Sequence, residues 1–226
     1  LREHSPQDNL ELLRRVPLFS VLEPTQLELL ARVVIRKTVA KGRSVFSAGD
    51  MSQSIYLILS GRTKVQMSDA EGKEVILAVL GSGEFFGEMA LIDDQPRSAT
   101  VVTLETCEFL TMNKEDFRNC LASNTEMATL IMRGLVKRLR EADRKIESLA
   151  LLDVYGRVAR VLLEFSEVEG DRRVLRDKLP RQDVAKMIGA SREMVSRVMK
   201  GLETDGFIVA QPDGSFVLHE NRSAHY

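Results

Sequence analysis

The apolar positions of this chain change their spacing three times. Leu12, Leu13 and Val16, then Leu27, Leu29 and Leu30 behind Pro24, recur at helical intervals and predict short amphipathic helices within residues 10–31. From Val33 to Met112 the pattern shortens to β-branched runs at 33–39, 44–46, 55–59, 75–80, 99–104 and 108–112. Turn-forming glycines, from Gly42 to Gly87, separate them. Short strands at this spacing predict an all-β sandwich, roll or barrel. The run 75–80 is apolar throughout and reads as a strand covered on both faces.

Beyond Phe117 the helical period returns. Ala128, Met132, Leu135, Leu139, Ala142, Ile146 and Leu149 alternate four and three apart over three heptads, the seam of a coiled coil. Arg133, Lys137, Arg138, Arg140, Arg144 and Lys145 lie on the other faces. The narrow stripe with its small Ala142 predicts a helix that pairs in parallel with a second copy of the chain. Asp153 is placed to cap a further helix carrying Val158, Leu162 and Leu163, which puts a boundary near 148–152. Three segments result: 10–122, 123–150 and 151–226.

The last segment carries the clearest local pattern. Pro180 opens a helix over 181–188, Gly189 supplies a tight turn, and Ser191 caps a second helix whose Val195, Val198 and Leu202 face inward. Two short apolar runs, 207–209 and 216–218, flank the turn Pro212-Asp213-Gly214 and predict a hairpin beside it. Helix, glycine turn, helix and hairpin describe a winged helix-turn-helix.

Composition narrows the chemistry. The 226 residues carry 32 Lys and Arg against 33 Asp and Glu, so no bulk charge announces a polyanionic partner. Locally the balance differs: nine basic residues against three acidic ones lie between Arg172 and Lys200. Cys107 and Cys120 are too few for a disulfide framework or a four-cysteine metal site, and both sit in apolar surroundings. The histidines, His4, His219 and His225, are all near the ends. With no central histidine, metal-ligand cluster or nucleophile–base arrangement, the chain reads as a non-enzyme without a metal. No run approaches the ~18 apolar residues of a membrane span, and no leader-like apolar run opens the chain. A cytoplasmic protein is expected, with its polar first nine residues unordered.

Two constellations remain. The exposed first turn of the second helix offers Arg192, Glu193, Ser196 and Arg197; arginine can pair with guanine O6 and N7, and glutamate can accept from cytosine N4. Arg181, Ser191 and Lys200 complete the candidate DNA-binding set. The second constellation is Phe86-Gly87-Glu88-Met89-Ala90, followed by Arg97-Ser98. Gly87 permits close backbone approach, and Arg97 with Ser98 suits a phosphate. Glu88 would repel that phosphate, so it must meet a donor such as a sugar hydroxyl. Together these groups describe a nucleotide site.

Residues 86–100 resemble the phosphate-binding cassette of cyclic-nucleotide-binding domains. Joined to 181–198, they make nearly the whole chain, from about Leu12 to Leu218, similar to the Crp/Fnr transcription regulators. The resemblance implies an α+β protein: an N-terminal cyclic-nucleotide-binding β-roll, a long dimerisation helix and a C-terminal winged helix-turn-helix. It implies a homodimer on a palindromic double-stranded operator with TGTGA-like half-sites, and RNA polymerase as a partner. Glu88 is then assigned to the ribose, Arg97 and Ser98 to the cyclic phosphate, and Arg192, Glu193 and Arg197 to bases. One departure stands out. Where the cAMP-responsive activator has a threonine–serine pair toward adenine, this chain has Ala142 and Asp143. The effector therefore stays open among cAMP, which the phosphate and ribose positions favour, cGMP and cyclic di-GMP.

Overall fold

The computed structural model describes residues 6–14, 16, 19–20, 22–51, 53–176 and 179–219. His4, His225, Asp177 and Lys178 lie outside them. The chain divides into two compact units, Leu1–Arg138 and Leu139–Tyr226. That division falls inside the long helix rather than at its end.

In the first unit, α1 (Pro6–Arg14) and α2 (Pro24–Val33) form the predicted helical start. Residues 1–5 lie outside the described residues; for residues 6–9 the expectation of an unordered segment is corrected by α1 and by Asn9 itself. Its buried amide donates to Ala31 O and Val34 O at 3.1 and 3.0 Å, tying α1 to the end of α2. A polar residue inside an amphipathic helix becomes an anchor where carbonyls at a helix C-terminus need donors.

Eight strands follow: β1 (Ile35–Val39), β2 (Ser44–Phe46), β3 (Ser54–Ser60), β4 (Thr63–Ser68), β5 (Glu74–Leu80), β6 (Phe85–Phe86), β7 (Thr100–Thr103) and β8 (Cys107–Asn113). They make two antiparallel four-stranded sheets, ordered β1-β8-β3-β6 and β2-β7-β4-β5. One core joins Leu13, Leu30, Leu57, Phe85 and Leu110 beneath the helices; another gathers Tyr56, Phe86 and Phe109 between strands. The expectation that 75–80 is covered on both faces fails. Among the described residues β5 is an edge strand paired with β4, and its Val75 and Leu77 are exposed while Ile76 is buried. An unbroken apolar run therefore does not distinguish a two-sided strand from an alternating one.

Three helices complete this part: α3 (Met89–Ile92), α4 (Lys114–Ser123) and α5 (Thr125–Leu151). Asn113 caps α4 by accepting from Asp116 N at 2.8 Å. Met127, Leu130 and Ile131 plug the near end of α5 into the first core. Of the heptad positions, Leu135 packs on that same core, so it is not free for a seam. Met132, Leu139, Ala142, Ile146 and Leu149 are exposed, as an unpaired seam requires.

The second unit holds α6 (Val154–Glu164), β9 (Glu167–Glu169), β10 (Arg172–Leu175), α7 (Arg181–Ile188), α8 (Arg192–Thr204), β11 (Ile208–Ala210) and β12 (Phe216–Leu218). Asp153 caps α6 through Gly156 N at 2.8 Å, as predicted. The four strands form one antiparallel sheet, β11-β12-β10-β9, twice the predicted hairpin. Val158, Leu162, Val195, Leu202 and Ile208 are fully buried. Met199 is buried where Val198 was expected; Val198 is half-buried.

Candidate functional site

The cassette is assembled from distant pieces of the first unit. β6 runs into Gly87, whose φ of 87° only glycine adopts freely. A Cβ there would overlap Arg97 Nη1 and stand 3.2 Å from Ser54 O. Glu88 begins the turn of α3, and the loop after Ile92 returns Arg97 beside Gly87. That loop is pinned at Asp94, a non-glycine residue with φ of 62°. Arg118 Nη2 donates to Asp94 Oδ2 at 2.8 Å, Lys114 pairs with Oδ1, and Arg118 Nε donates to Leu91 O at 3.0 Å. The two cations hold the Asp94 carboxyl down at about 2, from its usual 3.8.

Arg97 is buried. Its Nη1 donates to Gly87 O at 2.6 Å, its Nη2 to Ser54 O at 2.5 Å, and its plane lies 3.9 Å over the Phe46 ring. Burial pulls its pKa down, yet a guanidinium stays charged in a protein. Carbonyl dipoles and a ring face support that charge, and among the described residues no carboxylate forms an ion pair with it. An anion would complete its neutralisation. Ser98, next to it, is exposed.

Glu88 is 1% exposed. Arg138, reaching from α5, donates from Nη1 to Glu88 Oε1 at 2.5 Å and from Nη2 to Phe85 O; its guanidinium stands 4.8 Å over the Phe85 ring. Glu88 Oε2 is buried with no hydrogen-bond partner among the described residues. A buried carboxylate oxygen left bare is costly, and it fits a hydroxyl donor brought by a ligand. Arg138 was counted from sequence only as a charge on the outer faces of the heptad helix; Ser54 and Phe46 gave no cue at all.

Other predicted residues divide. Met89 is exposed on α3, and Ala90 is buried beneath it. The Phe86 side chain belongs to the core: it stacks on Tyr56 at 5.1 Å and meets Phe109 edge-on at 5.6 Å. Ala142 and Asp143 are exposed on α5, within the second unit. Among the described residues no cluster of three His, Cys, Asp or Glu could hold a metal ion.

In the second unit, Gly189 ends α7 with φ of 66°, and Ser191 caps α8 by accepting from Met194 N at 3.1 Å. Arg157 Nη1 donates to Ile188 O at 2.9 Å, fixing the turn to α6. Arg192, Glu193, Arg197 and Lys200 are exposed and Ser196 half-buried along one stretch of α8. The amide end of the helix, Ser191 and the two arginines pull the Glu193 carboxyl below its ordinary range. Arg181 Nη1 donates weakly to Ser196 O at 3.4 Å. Arg176 donates from Nε and Nη2 to the two oxygens of Glu169, both at 2.7 Å, so it adds less to the basic face than its place in sequence implies. The wing turn is fixed by Asp213 Oδ1, which accepts from Ser215 N and Oγ at 2.9 and 2.6 Å.

A nucleotide-type cassette in one unit and a winged helix-turn-helix in the other define a transcription regulator that senses a small molecule. Comparison with known proteins agrees. Residues 36–124 match the cyclic nucleotide-binding domain family, and residues 156–222 the Crp-like helix-turn-helix domain. The chain is 36% identical over 171 residues to the cAMP-activated global transcriptional regulator CRP of Haemophilus influenzae, covering 74% of this chain and 76% of that one. It is 35% identical over 189 residues to the cAMP-activated regulator Vfr of Pseudomonas aeruginosa, covering 80% and 87%. The solved structure of the c-di-GMP responsive global regulator CLP of Xanthomonas campestris superposes with a TM-score of 0.74 at 30% identity, over 87% of this chain and 99% of that one. The chain belongs to the Crp/Fnr family.

Proposed function

We propose that the protein is a homodimeric, sequence-specific transcription regulator on a palindromic operator, controlled by a cyclic nucleotide, with cAMP favoured. The observation that carries the effector reading is the pair of incomplete groups in the cassette. Among the described residues, Glu88 Oε2 lacks a donor, and the buried Arg97 cation has no carboxylate in an ion pair with it. A ribose hydroxyl and a cyclic phosphate would satisfy both. The names of the two cAMP-activated relatives favour cAMP. Cyclic di-GMP is the second reading, on two grounds: the CLP relative responds to it, and Ala142 and Asp143 replace the threonine–serine pair.

The exposed Met132, Leu139, Ile146 and Leu149 support pairing of α5 with a second copy. Two α8 helices would then enter adjacent major grooves, with Arg192, Glu193 and Arg197 on bases and Arg181 and Lys200 on phosphates. The effector acts by binding one arrangement of the dimer more tightly than the other, a coupling of about 1–3 kcal/mol in typical cases. RNA polymerase is the expected further partner, in the cytoplasm. The test is titration calorimetry of the wild type and Arg97→Ala with cAMP, cGMP and cyclic di-GMP. Binding of one nucleotide by the wild type and its loss in a folded variant is expected; equal affinity in both rules out the phosphate role.

A further inference from the structure

Gly134 is the only glycine in α5, at a position where almost any other residue would favour the helix more. Its neighbour across the packing supplies the reason. A Cβ at 134 would stand 2.6 Å from Phe85 Cε1 and nearer still to Cζ, well inside contact distance. The ring is 5% exposed in the first core, so it can yield only into the cavity of about 30 Å³ beside it. Phe85 is also what Arg138 rests on, one helical turn beyond Gly134. Its carbonyl accepts from Arg138, its ring faces the guanidinium, and three residues on lies Glu88.

We infer that Gly134 is a positioning residue for the effector site: its missing side chain lets α5 close on Phe85, and that closure sets Arg138 on Glu88. The inference rests on the cassette being the effector site. An added methyl group lifts the helix from the ring or tilts the ring under it. Either movement shifts Arg138 against Phe85 and withdraws its bond from Glu88 Oε1, so the carboxylate no longer presents its second oxygen in one fixed place. Helix propensity alone argues the reverse, since alanine at 134 would then make a more stable protein with unchanged binding.

The test uses the full chain and its Gly134→Ala variant, titrated calorimetrically with cAMP, cGMP and cyclic di-GMP. Crystal structures of both, and of Gly134→Ala/Phe85→Leu, give the Arg138–Glu88 separation. The variant is expected to bind at least tenfold more weakly whichever nucleotide the wild type takes, with the ion pair opened. Phe85→Leu, which removes the clashing end of the ring, should restore the pair and most of the affinity. Wild-type affinity in Gly134→Ala with the pair intact overturns the inference, as does a loss that Phe85→Leu leaves unrepaired. If Gly134→Ala alone does not fold, recovery of the fold and the pair in the double variant supports the steric argument, and its failure overturns it. If the wild type binds none of the three nucleotides, the effector reading falls, and the Arg138–Glu88 separation still judges Gly134.

Discussion

Arg138→Met isolates the contact between the long helix and the cassette. Glu88 is 1% exposed, its Oε1 takes a 2.5 Å bond from Arg138, and its Oε2 has no partner among the described residues. Methionine retains the bulk of the stem and removes the charge, leaving a buried carboxylate with neither oxygen bonded to a cation. Removing one member of a buried pair costs about 3–5 kcal/mol. The Arg138 side chain is 29% exposed, so water reaches part of the site and places the expected loss near the lower end, about 3 kcal/mol. That is more than a hundredfold in the folding equilibrium. Urea unfolding at pH 7, followed by circular dichroism, should show the transition of the first unit moving to lower denaturant with its slope unchanged. Adding Glu88→Gln should recover most of the loss, because an unpartnered amide is far cheaper to bury than a carboxylate. A shift below about 0.5 kcal/mol, the range of ordinary surface substitutions, would refute the reasoning. So would a double variant no more stable than Arg138→Met.

Other consequences concern the cassette loop and the DNA-reading turn. The Asp94 carboxyl is held at about 2 against its usual 3.8, so its pairing stabilises the fold fully above pH 4 and is lost as pH falls toward 2. Acid unfolding of the wild type and Asp94→Asn should differ at pH 5 and converge by pH 2; a difference unchanged across that range contradicts the assignment. Gly189→Ala places a side chain at φ 66° with no neighbour to clash with, so it should cost about 1–2 kcal/mol from backbone strain alone. A neutral substitution there, by thermal melting, would exclude a strained turn. Arg197→Ala should relax operator discrimination by about 1–3 kcal/mol at one base pair. Equal weakening on operator and random DNA would instead make Arg197 a phosphate contact.

Legibility in the sequence followed the range of the interactions involved. The α7–α8 turn was readable because its determinants are local: Gly189 takes the left-handed backbone, and Ser191 caps the helix that starts at the next residue. Asp153 was readable for the same reason. β9 and β10 were not, since Glu167, Glu169, Arg172 and Arg173 leave too little apolar alternation to mark a strand. The 75–80 run misled because an edge position depends on which strands pair with it, and nothing in the segment itself records that. In the cassette, Gly87, Glu88 and Arg97 are close in sequence and were found together. Their supports were not: Ser54 lies 43 residues from Arg97, and Arg138 lies 50 from Glu88. Arg138 looked like one more charge on a solvated helix, and only the single glycine in that helix, Gly134, hints that its face is packed.

The central claim is that a cyclic nucleotide governs DNA binding. The most direct measurement is the affinity for a palindromic operator with TGTGA-like half-sites at one fixed salt concentration, since phosphate contacts make affinity strongly salt-dependent. The wild type would be measured without nucleotide and with cAMP, cGMP or cyclic di-GMP in parallel. One nucleotide should change the operator affinity by tenfold or more while affinity for random DNA changes little. Tight, specific binding that none of the three alters would contradict nucleotide control and leave the protein a DNA reader whose cassette serves another purpose.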